Sequence, residues 1–172
     1  MVVAENAIKE YRKNGVKTFV YYCCCQAYDN VPNRFLNMPL NRLRVLGPIM
    51  YVDEAKGLLQ WGFNFYNSQL SLSQIDPFKV PDANARFPAG DSFIVYPGKD
   101  GEPLSSIRSE TYFDSLQDYA LLKMLEDKKG RDYVLDLLSK FSILSYENYP
   151  HEDLLCYKLH EELVRELQKY GN

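Results

Sequence analysis

Val16-Lys17-Thr18-Phe19-Val20-Tyr21-Tyr22-Cys23-Cys24-Cys25 is an almost unbroken apolar and aromatic run. β-Branched and aromatic residues dominate its first part and it does not alternate. It therefore predicts a strand covered on both faces, the kind found in the parallel sheet of an α/β protein. A second strand is predicted downstream, at Leu58-Leu59-Gln60-Trp61-Gly62-Phe63-Asn64-Phe65-Tyr66-Asn67, and its two faces differ. Leu59, Trp61, Phe63 and Phe65 would form an apolar face suited to lie beneath helices. Gln60, Gly62 and Asn64 would form a small polar face suited to a barrel lumen. Between the two strands, residues 40–55 carry Leu43, Leu46 and Met50 at helical spacing, with Pro48 expected to kink or divide the helix. Parallel neighbours need such a crossover, so the core of the pattern is a βαβ unit.

Outward from this unit, residues 4–13 read as a helix closed by Asn14-Gly15, and residues 28–33 as a turn-rich loop. Residues 68–104 hold no long element. They are proline-rich from Pro77 to Pro103, with a short strand expected at Ser92-Phe93-Ile94-Val95-Tyr96. A loop of this length is more often functional than idle. The last third is helical. Ser105 is expected to cap a helix to about residue 128, with Phe113, Leu116, Ala120 and Met124 as its core stripe. Residues 131–141 follow, with Val134, Leu137, Leu138 and Phe141 on one face. A final helix after Pro150 would have Glu152 and Asp153 in its first turn and Leu155, Leu159, Leu163 and Leu167 as its stripe. The fold class is α/β. Two strands make a poor sheet, and a complete (β/α)8 barrel takes about 250 residues, whereas this chain has 172. The pattern is that of the C-terminal portion of a TIM barrel, its last two strands and their helices, with a C-terminal helical tail. The units expected are 1–130, including the long loop at 68–104, and 131–172.

Composition excludes several classes. Lys plus Arg number 20 against 23 Asp plus Glu, too little positive charge for a general nucleic-acid binder. No apolar run is long enough to span a membrane, and the first residues do not form a signal peptide. Aromatic content of 14% argues against disorder. Cys23, Cys24, Cys25 and Cys156 lack zinc spacing, and three adjacent cysteines in a strand point to alternating faces. They read as reduced, buried thiols with no metal and no cofactor, which fits the cytoplasm.

Several ordered motifs carry a family resemblance. Asn33-Arg34-Phe35-Leu36-Asn37-Met38-Pro39-Leu40, with Arg42 and Leu46-Gly47, resembles the entry to the penultimate helix of the glycoside hydrolase family 123 catalytic domain, the DUF4091-type glycosidase-like group. Tyr22-Cys23-Cys24-Cys25 resembles the preceding strand. Residues 57–67 resemble the last barrel strand, and Gly90-Asp91-Ser92-Phe93-Ile94-Val95-Tyr96-Pro97-Gly98 the loop after it. Ser106-Ile107-Arg108, then Leu116-Gln117-Asp118-Tyr119 and Leu122, resemble the final barrel helix. The resemblance implies a (β/α)8 domain acting on N-acetylhexosaminides, in which the substrate's own acetamido group attacks the anomeric carbon, assisted by an adjacent Asp-Glu pair. That pair belongs to an earlier strand. Asp53-Glu54 precedes a strand instead of following one, and Glu126-Asp127 and Glu152-Asp153 are reversed, so no catalytic residue is assigned. Where the family often has tryptophans, this chain has Leu46-Gly47-Pro48-Ile49-Met50-Tyr51.

Sugar sites combine aromatic faces with planar polar groups at strand ends and the loops after them. The candidates are Trp61, Asn64, Tyr66, Asp91, Tyr96 and Arg108, with Tyr22 from the first strand. Structural alternatives stand beside them: core packing beneath the helices for Trp61, loop packing for Tyr96, interstrand bonding for Asn64, turn shaping for Asp91 and a salt bridge for Arg108; Tyr21 and Tyr22 point to opposite faces, so at most one of them lines a pocket. Expected partners are an oligosaccharide or glycoconjugate and the missing N-terminal barrel portion, with no nucleic acid and no membrane. A homo-oligomer is a further possibility, since exposed apolar surface favours association. The alternative function is a non-catalytic carbohydrate-binding or structural module.

Overall fold

The computed structural model describes residues 10–25 and 31–170. Most of the helix expected at 4–13, and half of the loop at 28–33, therefore lie outside the described residues. β1 (Phe19–Tyr22) and β2 (Gly57–Gln60) are parallel, in the register Phe19↔Gly57 to Tyr22↔Gln60. The helical crossover runs between them, so the α/β class and the βαβ unit stand. The other sheet is a two-residue antiparallel pair, β3 (Tyr96–Pro97) with β4 (Pro103–Leu104). No described helix is long and apolar enough to cross a membrane.

Both strands are shorter than expected. β1 stops at Tyr22, and Cys23, Cys24 and Cys25 turn away from the ladder, so they are partly or fully exposed where burial was expected. β2 stops at Gln60, with one last parallel bond from the Trp61 N–H to the Tyr22 carbonyl. The chain then leaves the sheet to pair with the long loop, through Ile94 N–H to the Phe63 carbonyl and Phe65 N–H to that of Ser92. The expected strand at 92–96 is thus a buried loop, bridged antiparallel at Asn64↔Phe93.

The assignment of faces in β2 is reversed. Val20, Tyr22 and Leu58 face the helices, packing with Val31, Leu46, Met50 and Ala55. Gln60 joins Tyr22, Asn33, Arg34, Leu43, Leu46 and Tyr112 around a cavity with room for about one water molecule. Leu59, expected beneath the helices, is 56% exposed on the other face, beside Phe19 and Tyr21. Strand parity is absolute, so a single wrong anchor inverts every residue.

The crossover helix is divided, at Val45, into α1 (Leu40–Arg44) and α2 (Leu46–Val52). Pro48 has no N–H for the Arg44 carbonyl and its ring crowds that turn, which places the break one turn upstream of the proline. α3 (Ile107–Lys129) is capped by Ser106, not Ser105, through a capping box with Ser109. Its expected core stripe faces out: Phe113 is 56% and Met124 54% exposed, and Leu116 and Ala120 are exposed with them. The buried face carries Arg108, Ser115, Asp118, Leu122 and Leu125 instead. Polar residues hold that face because each has a partner there. Ser115 Oγ accepts the Gly47 N–H at 2.7 Å, and Asp118 accepts from Arg44.

α4 (Arg131–Lys140) buries Val134, Leu137 and Leu138 as expected. α5 (Leu155–Gln168) buries Leu155, Leu159 and Leu163, but it begins after Glu152 and Asp153, so its first turn has no acid. One buried cluster joins Val45, Ile49, Leu122, Leu125, Leu138 and Leu159, so the helices of 131–172 share a core with the βαβ unit.

Candidate functional site

The C-terminal ends of β1 and β2 lie side by side, and the segment Asp91-Ser92-Phe93-Ile94-Val95 closes over them, every residue of it buried. A buried loop needs donors for its carbonyls. Two guanidinium groups supply them. Arg108 donates to the carbonyls of Arg34 (2.8 Å), Gly90 (2.7 Å) and Phe93 (2.9 Å), and Arg34 donates to that of Asp91 (2.8 Å). Gly90 has φ +85°, and a Cβ there would sit 2.5 Å from Arg108 Nη1, so conformation and space both require glycine. At Gly62 a Cβ would lie 2.6 Å from the Ser92 carbonyl oxygen, which fixes how closely the two segments approach.

Within this frame the Trp61 Nε1–H donates to Asp91 Oδ2 at 2.7 Å. The indole also packs edge-on against Phe87, with centroids 5.0 Å apart, and against Phe65 at 5.3 Å. Its remaining surface is partly open, and Asn64 and Phe63 are exposed beside it in sequence. A second aromatic group surrounds Phe93, which contacts both Tyr66 and Tyr96. The Tyr66 hydroxyl donates to the Val95 carbonyl at 2.8 Å, and Tyr96 lies against Phe78.

The structure thus joins Trp61, Asp91 and Arg108 through one loop, and Tyr66 with Tyr96 through Phe93. Asn64 stands on the exposed side of the bridge. Tyr22 lies apart from them, buried beneath the helices against Tyr146. Arg108 forms no salt bridge with Asp91; it donates to three carbonyls, lies within hydrogen-bonding reach of the Tyr96 side chain, and is 3% exposed. Arg34, within the Asn33–Leu40 stretch, is a member of the site that sequence reasoning misses. An arginine five residues before a proline carries no signal of its own; its role appears only once Asp91 folds onto it.

Burial pushes the Asp91 carboxyl above the usual carboxylate range, against the Trp61 N–H, the Arg34 charge and the Cys24 backbone N–H. Burial likewise draws Arg34 down to about 10, with Asp91 acting against it. A raised carboxyl binds its proton more tightly folded than unfolded. Its stabilising contribution is complete below the unfolded value of about 3.9 and is lost as pH rises through the folded value. Wild type should therefore lose stability relative to Asp91→Asn as pH climbs from about 4. Urea midpoints of the two proteins across that range measure the slope, and parallel profiles would contradict the assignment.

One or both members of each other adjacent acidic pair lie close to a cationic side chain. Asp53 lies near Arg12 at 3.9 Å and Glu54 pairs with Arg131 at 3.0 Å. Glu126 pairs with Lys123 at 2.8 Å, and Glu152 lies 3.9 Å from Lys158. The model of the glycoside hydrolase 123 catalytic domain matches residues 1–125, and the chain belongs to that family. No curated protein matches it.

Proposed function

We propose that this chain supplies one wall of the sugar-binding face of a glycoside hydrolase 123 catalytic domain, one that acts on N-acetylhexosaminides by substrate-assisted hydrolysis. The observation that carries this reading is the Trp61–Asp91 pair at the C-terminal ends of two parallel strands, where barrel enzymes bind substrate. Trp61 and Asn64 meet the sugar. Asp91 and Arg108 hold the indole and its loop in place, Tyr66 and Tyr96 shape that loop, and Tyr22 supports the strand from below. The catalytic Asp-Glu pair comes from another part of the barrel, since the acids at 53–54, 126–127 and 152–153 serve structural ion pairs or helix ends.

Two apolar surfaces support a partner made of further βα units. One is the outward face of the sheet, with Phe19, Tyr21 and Leu59 exposed. The other is the outward stripe of α3, with Phe113, Leu116 and Met124. In a closed barrel a strand's second face is covered by the lumen and a helix's flank by its neighbour. These surfaces also favour a second reading, a structural module that oligomerises through them.

Trp61 is the single tryptophan, so its fluorescence reports on the site alone. Titration with N-acetylglucosamine and N-acetylgalactosamine oligomers should give a saturable change that Asn64→Ala weakens by about tenfold, the cost of roughly one charge-free hydrogen-bonding group. The 172-residue chain should release no chromophore from aryl N-acetylhexosaminides. Robust release would defeat the assignment of catalysis to another part. A fluorescence signal unmoved by sugar, in a chain that sediments as a stable oligomer, would favour the structural module.

A further inference from the structure

We infer that Cys23, Cys24 and Cys25 form a three-sulfur site for a thiophilic monovalent metal ion, of which Cu(I) is the type. In a strand, consecutive side chains diverge. Here β1 ends at Tyr22 and the three cysteines occupy a bend and turn, which brings their sulfurs within 4.8 Å of one another. Three thiolates bound to one ion at about 2.3 Å stand roughly 4 Å apart in a trigonal plane. Less than an ångström of closure separates the observed cluster from that arrangement, within reach of side-chain rotation.

The turn is fixed before any ion arrives. Asn33 Nδ2 donates to the Cys23 carbonyl at 3.1 Å, the Cys25 N–H contacts Cys23 Sγ at 3.5 Å, and the Cys24 N–H is directed to the Asp91 carboxylate. Such outer contacts orient ligands in metal sites. None of the three is in a disulfide, and Cys25 is exposed, so the cluster is open to solvent on one side. The ligand set decides the metal. Soft thiolates select Cu(I), Zn and iron–sulfur centres. Structural zinc requires four ligands, and among the described residues no fourth His, Cys, Asp or Glu joins the group. Three sulfurs alone suit a three-coordinate d10 monovalent ion. On binding, each ligating thiol gives its proton to solvent and no electron is transferred. The site borders Trp61, whose N–H bonds the Tyr22 carbonyl at the same strand end.

The test uses the full 172-residue chain, reduced and anaerobic, titrated with Cu(I) supplied as its acetonitrile complex against a chromophoric Cu(I) chelator. One ion per chain is expected, with three sulfur neighbours by X-ray absorption. Each single serine variant at 23, 24 or 25 should weaken binding at least tenfold. Cys156→Ser, far away on α5, should leave it unchanged. A two-sulfur shell in the wild-type protein overturns the inference. So does a triple serine variant that keeps its circular dichroism spectrum and still binds one ion as tightly. Should that variant not fold, the sulfur count in the wild-type protein decides the matter by itself.

Discussion

Replacing Arg108 by Met should destabilise the protein by about 3–5 kcal/mol, among the largest effects of any single substitution here. Methionine preserves most of the side-chain volume, so the loss is not a cavity. It removes three hydrogen bonds, one to the carbonyl of Arg34 in one segment and two to those of Gly90 and Phe93 in another. Each carbonyl left buried without a donor costs about 1–3 kcal/mol, and the three are not additive because the loop relaxes. Burial draws the Arg108 guanidinium pKa down, with Tyr96 acting against it. That desolvation cost is removed with the side chain and tempers the loss. Lysine should rescue poorly, because a point charge cannot reach two segments as a planar fork does. Urea denaturation measures the loss. Hydrogen exchange at Ile94 should accelerate with it, since its N–H bonds the Phe63 carbonyl through the same loop. A change under about 1 kcal/mol would contradict the view that Arg108 organises the site.

The βαβ unit was legible because its signal is compositional. An apolar run, a helical repeat and a second run suffice to specify strand, crossover and parallel partner. The site was legible in its members but not in its bonds. Trp61, Asp91 and Arg108 stand out as residue types, yet a sequence does not tell whether a buried arginine meets a carboxylate or a carbonyl. The stripe of α3 misled for a related reason. Phe113, Leu116, Ala120 and Met124 have helical spacing, but the face that meets α1, α2 and α5 is the one where Ser115 and Asp118 find partners. Apolar periodicity identifies a face that seeks cover; it does not say that the cover comes from this chain. The cysteines show the opposite error. Their adjacency excluded a cluster only while they were assigned to an extended strand, and the strand ends one residue before them.

Asp118→Ala is the second substitution with a large expected cost, about 3 kcal/mol, the lower end of the range for breaking a buried ion pair. Asp118 is fully buried on α3. It accepts from Arg44 Nε of α1 at 2.9 Å and lies 2.6 Å from His160 Nδ1 of α5, so one carboxylate ties three helices together. Burial alone would lower the Arg44 pKa, but hydrogen bonding and charge from Asp118, with Asp114 adding to them, raise it above the ordinary value. Removing Asp118 leaves that guanidinium buried with weaker company: Asp114 at 3.6 Å, itself part-exposed, and the ring of Tyr157 at 4.6 Å from the guanidinium carbon. These two contacts keep the loss from the upper end. Replacing both partners, as Arg44→Met with Asp118→Leu, removes the stranded charge and fills the space with apolar atoms. It should recover most of the lost stability. The coupling between the two sites, read from a double-mutant cycle in urea, should exceed about 1.5 kcal/mol and change little with salt, since buried charges are weakly screened. Additive single losses would mean that Asp118 is held mainly by His160, and the pair with Arg44 would then not be what fixes α1 against α3.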